Sequence, residues 1–191
     1  MSGLRVVGIS GNLVRPSRTR ALVGEILRRV ETRGLGKGDL YDLVYAGPEL
    51  GATLLRAEAK SAPDRILSAI ERADALVVAT PVYKASYTGL FKHLFDLIEP
   101  KMLEGRPVLL AATGGSERHA LVIEHHLRPL FAFFRANTLP IGLYATGGDF
   151  LSSGEPGEAL HARIAPFVEQ LADLLEYRQA RAKQATLESA A

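Results

Sequence analysis

The chain has 191 residues, of which 47% are hydrophobic, so it can bury one substantial core and needs no second domain. Its formal net charge of +2, from 23 basic and 21 acidic residues, argues against a broad basic surface for nucleic acid. The absence of cysteine excludes a disulfide scaffold, a thiolate metal site and a cysteine nucleophile.

Apolar runs typical of buried strands alternate along the chain with stripes of helical periodicity. The first apolar run begins too early for a signal peptide, and no run approaches the ~20 residues that a membrane span requires. We therefore expect a cytoplasmic protein with one domain over residues 1–180 and a flexible C-terminal tail over 181–191. Strands are predicted at 4–9, 40–45, 75–80, 107–112 and 138–145, and helical stripes at 22–30, 66–70, 90–98, 118–135 and 164–175.

The alternation of strands and helices predicts an α/β fold, a three-layer sandwich with a parallel five-stranded sheet. We favour the flavodoxin-like strand order 2-1-3-4-5, because its switch point lies between strands 1 and 3, and the two richest loops follow those strands. The dinucleotide-binding alternative needs G-x-G-x-x-G after strand 1 and an acid near the end of strand 2. Gly8-Ile-Ser-Gly11 lacks that spacing, and Val44-Tyr45-Ala46 offers no carboxylate.

The first loop, Ser10 to Thr19, is rich in hydroxyl groups and lies where the first strand turns into a helix. Ser17 and Thr19 can donate hydrogen bonds, the first-turn amides of the helix point the same way, and Arg18 adds a positive charge. These donors suit a phosphomonoester dianion, and we add Ser10 and Asn12 to the candidate binding residues. The alternative is that Ser17 only caps the helix and the arginines are solvated.

The second loop follows Thr80-Pro81, where the central strand ends because proline cannot donate to the sheet ladder. Its backbone amides and tyrosine faces can surround a flat heteroaromatic ring, and we interpret it as the site of a flavin ring. The alternative is that its tyrosines cap the core at the sheet edge. The candidate binding residues of this loop are Pro81, Val82, Tyr83, Lys84 and Ser86.

The third loop, Thr113-Gly-Gly-Ser116, ends the next strand at the same edge of the sheet. The glycines allow a ligand to approach closely, and the amides of Thr113, Gly114, Gly115 and Ser116 can stabilise negative charge on the pyrimidine side of a reduced flavin. An ordinary strand-to-helix turn also uses glycine. The chance occurrence of three ligand-suited loops at one edge of the sheet is nevertheless much less expected than that of a single Gly-Gly pair.

Histidines cluster in the helix predicted at 118–135. His119 and His126 lie seven residues apart on roughly one face, whereas Glu124 and His125 point away, so these groups do not converge as zinc ligands do. We predict no metal site. Apolar residues cover more of this helix than one core-facing stripe needs, which predicts contact with another subunit.

The three loops lie within three stretches of sequence: Ser10-Gly-Asn-Leu-Val-Arg-Pro-Ser-Arg-Thr19, Thr80-Pro-Val-Tyr-Lys-Ala-Ser-Tyr-Thr-Gly89 and Ala112-Thr-Gly-Gly-Ser116. These stretches resemble the NADPH-dependent FMN reductase family, and most closely the reductases of two-component alkanesulfonate and methanesulfonate monooxygenase systems. The resemblance extends over about 4–176. The second loop of this chain has Pro81-Val82-Tyr83-Lys84, where many quinone- and azo-reducing relatives have Pro-Glu-Tyr-Asn.

The resemblance implies a flavodoxin-like fold, FMN binding and a homodimer or homotetramer. Ser17, Arg18 and Thr19 would hold the FMN phosphate, residues 81–84 the ring and ribityl chain, and residues 113–116 the pyrimidine side of the ring. In the sulfonate branch the helix at 118–135 carries a one-residue insertion, which makes a π-bulge at the tetramer interface. His125 or His126 would occupy that place here.

The implied activity is hydride transfer from NADPH, or from NADH, to FMN, and the reduced FMN is supplied to a separate flavin-dependent monooxygenase. This reaction needs two rings held at contact distance and no general base. Arg15, Arg20 and Arg118 are candidate partners for the 2′-phosphate of NADPH. Two alternatives remain open: an enzyme that keeps FMN bound and reduces quinones, azo dyes or chromate, and a flavodoxin-like electron carrier, against which the near-neutral charge argues.

Overall fold

The computed structural model describes residues 4–189, in which strands and helices alternate from the first strand to the last helix. The strands are β1 (Leu4–Ser10), β2 (Gly36–Asp42), β3 (Ala75–Pro81), β4 (Pro107–Gly114), β5 (Asn137–Thr138) and β6 (Leu143–Thr146). The α-helices are α1 (Arg18–Thr32), α2 (Leu43–Ala52), α3 (Ser61–Arg72), α4 (Gly89–Asp96), α5 (Arg128–Phe133) and α6 (Glu158–Ser189).

The strands described within residues 4–189 form one parallel sheet in the order β2-β1-β3-β4, and the short strands β5 and β6 share the fifth position beside β4. The predicted order 2-1-3-4-5 is therefore confirmed, with a divided fifth strand. The register sets Ser10 of β1 beside Ala79 of β3, and Thr80 of β3 beside Ala112 of β4. The carboxyl ends of β1, β3 and β4 consequently meet at one edge.

Two hydrophobic cores lie on opposite faces of the sheet, which confirms the three-layer sandwich. Alternate residues of a strand point to opposite faces, so Val78 of β3 packs in the core under α2 to α5, whereas Val77 packs in the core under α1 and α6. Both residues are fully buried. Because both faces are covered, β3 is a continuous apolar run, which is why the sequence predicted it clearly.

The second strand was predicted wrongly at 40–45, since β2 spans Gly36–Asp42. The Asp42 carboxylate accepts a hydrogen bond of 2.8 Å from the Tyr45 amide, so Asp42 caps α2 and the next residues are helical despite the strand preference of Val44 and Tyr45. The end of strand 2 therefore does carry a carboxylate, contrary to the prediction. The glycine spacing and the observed strand order still favour the flavodoxin-like fold.

The prediction of one continuous last strand at 138–145 was also wrong. Between β5 and β6 the chain leaves the ladder around Pro140, which has no N–H to donate. The Arg128 guanidinium donates to the carbonyl oxygens of Leu139 and Pro140, at 3.0 and 3.1 Å, so these backbone groups have partners outside the sheet.

The region predicted as one helix at 118–135 is composite. It contains a 3₁₀ turn at Glu117–His119, a π-helix at Ile123–Leu127 and then α5. His125 and His126 both lie in the π-helix, at the position where the family resemblance implies a bulge. An inserted residue of this kind changes the face that later residues present.

The last helix is longer than predicted. Because α6 continues to Ser189, the described part of the segment 181–191 is helical, and the flexibility of this tail stays a prediction; residues 190 and 191 lie outside the described residues. Within residues 4–189, none of the helices combines the length and the apolar character needed to cross a membrane.

Candidate functional site

A cleft of about 410 Å³ opens where β1, β3 and β4 end. Its volume is within the range of small-molecule sites, ~300–1,000 Å³, and its place at the carboxyl ends of parallel strands is where such sheets bind ligands. The structure therefore brings all three predicted loops together. The predicted residues that line the cleft are Asn12, Ser17, Arg18, Thr19, Pro81, Val82, Tyr83, Thr113, Gly114 and Gly115.

The N-terminus of α1 supplies hydrogen-bond donors at one end of the cleft. The Ser17 hydroxyl oxygen accepts a 3.2 Å hydrogen bond from the Arg20 amide, so Ser17 does cap α1. A hydroxyl can donate while it accepts, so capping leaves its proton for a ligand. The other amides of the first turn have no partner within the helix, and they add the positive end of the helix dipole.

Hydrogen bonds connect the three loops to one another. The hydroxyls of Thr19 and Thr113, both buried, lie 2.7 Å apart, and the Val82 amide donates to the Thr113 carbonyl at 2.7 Å. One of the two hydroxyl protons forms the hydrogen bond between Thr19 and Thr113, and the other can be donated to a ligand. The loops after β1, β3 and β4 are therefore held in one fixed arrangement.

Arg18 is exposed at the same end of the cleft and contacts a fourth loop, which follows β6. Its guanidinium carbon lies 5.9 Å from the centre of the Phe150 ring, a distance at which cation–π attraction is favourable. A Cβ at Gly147 would lie 3.1 Å from Arg18 Nη1. The absence of a side chain at Gly147 therefore leaves the space that the guanidinium occupies.

The fourth loop is held by a capping box. Asp149 Oδ2 accepts hydrogen bonds from the amide and hydroxyl of Thr146, at 2.6 and 3.1 Å, and Asp149 Oδ1 pairs with Arg163 at 2.5 Å. Burial alone would raise the pKa of Asp149, but the Thr146 amide and the Arg163 charge outweigh it, so the pKa is lowered. Asp149 therefore stays ionised at neutral pH and keeps this loop in place.

Sequence reasoning missed five of the lining residues. A signal for part of them was present, because Thr146-Gly-Gly stands at the end of a strand just as Thr113-Gly-Gly does, and both triplets lie at the carboxyl edge of the sheet. Val14 and Pro16 of the first loop are apolar, and no sequence pattern indicated that they would line the cleft. The missed residues are Val14, Pro16, Thr146, Gly147 and Phe150.

Two predicted residues of the second loop, Lys84 and Ser86, lie beside the cleft and do not line it. The backbones of Tyr83 and Ser86 exchange two hydrogen bonds, of 2.8 and 3.1 Å, and close a tight turn in which Lys84 and Ala85 have φ of 50° and 66°. Positive φ at two residues is the geometry of a type I′ turn, and without glycine it is strained. The Ser86 hydroxyl instead lies 3.1 Å from His126 Nδ1.

The other two predicted residues that do not line the cleft are Ser10 and Ser116, and both form hydrogen bonds that hold the lining loops. Ser10 is fully buried and donates to Asn12 Oδ1 at 2.6 Å, while Asn12 Nδ2 donates to the Val14 carbonyl at 3.0 Å. The carbonyl of Ser116 accepts a hydrogen bond from Tyr144. Both serines therefore fix the backbone of a loop that lines the cleft.

Asp42 pairs with two of the cations that were candidates for the 2′-phosphate of NADPH. Arg15 binds it through two hydrogen bonds, of 2.7 and 2.8 Å, and Arg20 Nε lies 3.1 Å from Oδ2 in an ion pair that is not aligned as a hydrogen bond. Burial raises the pKa of Asp42, but the hydrogen bonds from Arg15 and from the Tyr45 amide outweigh it, so the pKa is lowered. Arg15 and Arg20 thus share one ionised partner, whose single negative charge offsets half of their combined positive charge.

The donor set of the cleft fits a mononucleotide with a flat ring. One end offers hydroxyls, first-turn amides and Arg18, which suit a phosphate. The other end offers the backbone of Thr113, Gly114 and Gly115 and the half-exposed ring of Tyr83. A Cβ at Gly115 would meet nothing within 4 Å, so the turn is open on that side.

Comparisons with known proteins show the family of the chain and agree with its fold. Residues 4–150 match the family model described as NADPH-dependent FMN reductase. The chain is 51% identical over 171 residues to the NADH-dependent FMN reductase SfnF of Pseudomonas fluorescens, covering 90% of this chain and 91% of that protein. It is 48% identical over 173 residues to an FMN reductase (NADPH) of Pseudomonas aeruginosa, covering 91% and 93%. The crystal structure of apo NADH:FMN oxidoreductase EmoB superposes with a TM-score of 0.78 at 28% identity, over 88% of this chain and 89% of that one.

Proposed function

Because this chain belongs to the NADPH-dependent FMN reductase family, we propose that it binds FMN in the cleft at the ends of β1, β3 and β4 and reduces it with NADPH or NADH. The observation that carries the proposal is the convergence of a phosphate-suited helix N-terminus and two ring-suited turns around one cleft. Both dinucleotides occur in the names of the related enzymes.

The phosphate would be held by Ser17, Arg18 and Thr19. Arg18 supplies the positive charge, its orientation is supported by Phe150, and the two hydroxyls and the first-turn amides supply directed donors. Charge-assisted hydrogen bonds of this kind are about twice as strong as neutral ones. This end of the cleft is therefore expected to dominate the affinity for the phosphorylated ligand.

The ring would lie between the loop at Pro81, Val82 and Tyr83 and the turn at Thr113 to Ser116. Bound FMN supplies a hydride acceptor, and the chain's own contribution is to hold the two rings at contact distance and to direct backbone amides toward the pyrimidine edge. The pairing of Thr19 with Thr113 and of Val82 with Thr113 keeps these parts fixed relative to one another. Pre-organised donors of this kind need no rearrangement during the reaction.

No proton-transferring side chain is assigned. Asp42 and Asp149, the carboxylates described above beside the cleft, are ion-paired, and both have a lowered pKa. A carboxyl group with a lowered pKa is ionised at neutral pH and cannot act as an acid there. The proposed roles of these two residues are to hold Arg15 and the fourth loop in position.

We propose that reduced FMN leaves the cleft and is used by a separate flavin-dependent monooxygenase, as the sulfonate-type resemblance implies. Val14 and Tyr83, which line the cleft, are 63% and 46% exposed, so the rim is open to solvent and does not enclose a ligand. An open rim suits release of a product better than retention of a prosthetic group. NAD(P)H is a cytoplasmic reductant, which supports a cytoplasmic location.

The direct test is to mix the purified chain with FMN and NADPH, or with NADH, without oxygen. We expect loss of the nicotinamide absorbance band with loss of the oxidised flavin band, and saturation of the rate with free FMN. Adding a flavin-dependent monooxygenase and its substrate in air should then yield product. Absence of NAD(P)H oxidation contradicts the reductase proposal. FMN that stays bound while added quinone is reduced supports the quinone, azo dye or chromate alternative, and bound FMN without turnover supports an electron carrier.

We also propose that the chain assembles as a homodimer or homotetramer through the π-helix and α5. Leu121 and Phe133 are 62% and 71% exposed, and a cavity of about 590 Å³ beside the π-helix is lined partly by His125, His126 and Phe133. Leu130 and Phe134 also line this cavity, and contiguous apolar surface of this kind marks protein interfaces. Glu124 is ion-paired with Arg128, at 2.5 Å, which holds the start of α5 against the π-helix.

Deletion of His125 is expected to change assembly before it changes chemistry. Removing one residue from a π-helix allows a regular α-helix, which rotates the preceding residues, including Leu121, away from their present face. Light scattering should then report a smaller oligomer. His125→Ala, which keeps the residue count, should keep the assembly of the unmodified protein. An unchanged oligomer after the deletion contradicts the assignment of this helix to the interface.

A further inference from the structure

Tyr144 lies under the turn that follows β4, and its hydroxyl supports that turn. Tyr144 is a residue of β6, where it is paired with Ala112 of β4, and only 9% of its surface is exposed. Its hydroxyl donates a 2.7 Å hydrogen bond to the carbonyl oxygen of Ser116. Burial, and next the charge of Glu117, raise the pKa of Tyr144, so the hydroxyl keeps its proton at neutral pH.

The phenol reaches Ser116 by passing directly beside Gly114. A Cβ at Gly114 would lie 2.0 Å from the Tyr144 hydroxyl oxygen, which is too short for a real contact, and 3.0 Å from the ring carbon that carries it, which is tight. Only glycine leaves room for this hydrogen bond at residue 114. The absence of a side chain there is therefore explained by Tyr144 as well as by the cleft on the other side of the turn.

The turn is consequently anchored at both ends. At its start, the Thr113 hydroxyl pairs with Thr19, and the Thr113 carbonyl accepts from the Val82 amide. At its end, Tyr144 holds the Ser116 carbonyl. Gly114 and Gly115, which line the cleft between these anchors, contribute no side chain that could fix their peptide planes.

We propose that Tyr144 is a positioning residue for the flavin ring: its hydroxyl fixes the peptide orientation of the Thr113 to Ser116 turn, which faces the ring. The inference rests on the proposed placement of FMN in this cleft. Tyr144 itself does not line the cleft, so it acts through the turn and touches no ligand. Its loss should affect binding of the ring and leave binding of the phosphate unchanged.

Tyr144→Phe tests this inference, because it keeps the ring that fills the core and removes only the hydroxyl. Titration of the purified protein should show the Kd for FMN rising about three- to tenfold, the size expected for one net hydrogen bond. The Kd for riboflavin, which lacks the phosphate, should rise by the same factor. In steady state, KM for FMN should rise while KM for NAD(P)H does not. Tyr41→Phe, which removes a hydroxyl from the far edge strand β2, should change none of these values.

A second variant reports the contact itself. Gly114→Ala should weaken flavin binding in the unmodified protein, and it should weaken binding less in the Tyr144→Phe background, where the nearest clashing atom is gone. Strictly additive losses contradict the proposal. So does a Tyr144→Phe protein that binds both flavins normally, or one that loses FMN affinity but not riboflavin affinity. An unmodified protein that binds no FMN would overturn the proposed function instead.

Discussion

Replacing Arg18 with alanine should weaken FMN binding by about 10- to 100-fold, because a charged hydrogen bond to a phosphate contributes about 1.5–3 kcal/mol. The Kd for riboflavin should stay nearly unchanged, because riboflavin has the same ring and no phosphate. Fluorescence titration of both flavins measures the two constants. The turnover number at saturating FMN should change much less than KM, since Arg18 is not assigned to the ring.

Arg28→Ala is the matched control for this prediction. Arg28 belongs to the same helix and is 60% exposed, but it pairs with Glu25 and lies outside the cleft. Its replacement should leave both flavin affinities unchanged. Equal losses for FMN and riboflavin in Arg18→Ala would contradict the assignment of Arg18 to the phosphate and would instead place its side chain beside the ring.

Replacing Glu25 with glutamine should lower the free energy of unfolding at pH 7 by up to about 3 kcal/mol. Glu25 lies on the side of α1 that faces α6: its carboxylate, 9% exposed, accepts hydrogen bonds from Arg28 and Arg29 of α1 and lies 3.0 Å from His161 Nδ1 of α6. The hydrogen bond from Arg28 lowers the pKa of Glu25 most, against the opposing effect of burial, and the pKa falls from 4.5 to about 2.

The pH dependence of this effect has a definite sign. Because the pKa of Glu25 is lower in the folded state, its stabilising contribution is complete above pH 4.5 and declines as pH falls toward 2. Urea unfolding at several pH values should therefore show the Glu25→Gln deficit shrinking between pH 5 and about pH 2. Glu169→Gln removes a half-exposed partner of Arg33 and should cost less than ~1 kcal/mol. A deficit that is constant with pH contradicts the ion-pair explanation.

The three-layer architecture, and the edge of the sheet at which the site lies, could be predicted from short patterns in the sequence. The buried strand β3 is apolar along its whole length because both faces are covered, and its carboxyl end is marked by Thr80-Pro81. Each of the three loops also carries residues whose chemistry suits one part of a nucleotide. A parallel sheet must bring such loops to one edge, so the sequence alone was enough to predict the cleft and ten of its lining residues.

The ends of some strands and helices could not be predicted in this way, because they depend on a hydrogen bond with one particular side chain. Val44 and Tyr45 favour a strand, yet the Asp42 carboxylate caps a helix at that point. The interruption around Pro140 leaves two carbonyl oxygens outside the ladder, which Arg128 satisfies from another element. Such partners are distant in sequence, and no periodicity indicates them.

Arg15, Arg18 and Arg20 show most clearly what the sequence determines and what depends on the tertiary structure. All three are cations next to one phosphate-suited loop, and composition and spacing treat them alike. In the folded chain Asp42 pairs with Arg15 and Arg20, while Arg18 lies over Phe150 with no side chain at Gly147 to crowd it. Local pattern was sufficient for the fold, the cleft and the class of ligand, because each depends on short segments. The assignment of each charge depends on which group distant in sequence lies close to it, and only the folded chain sets that distance.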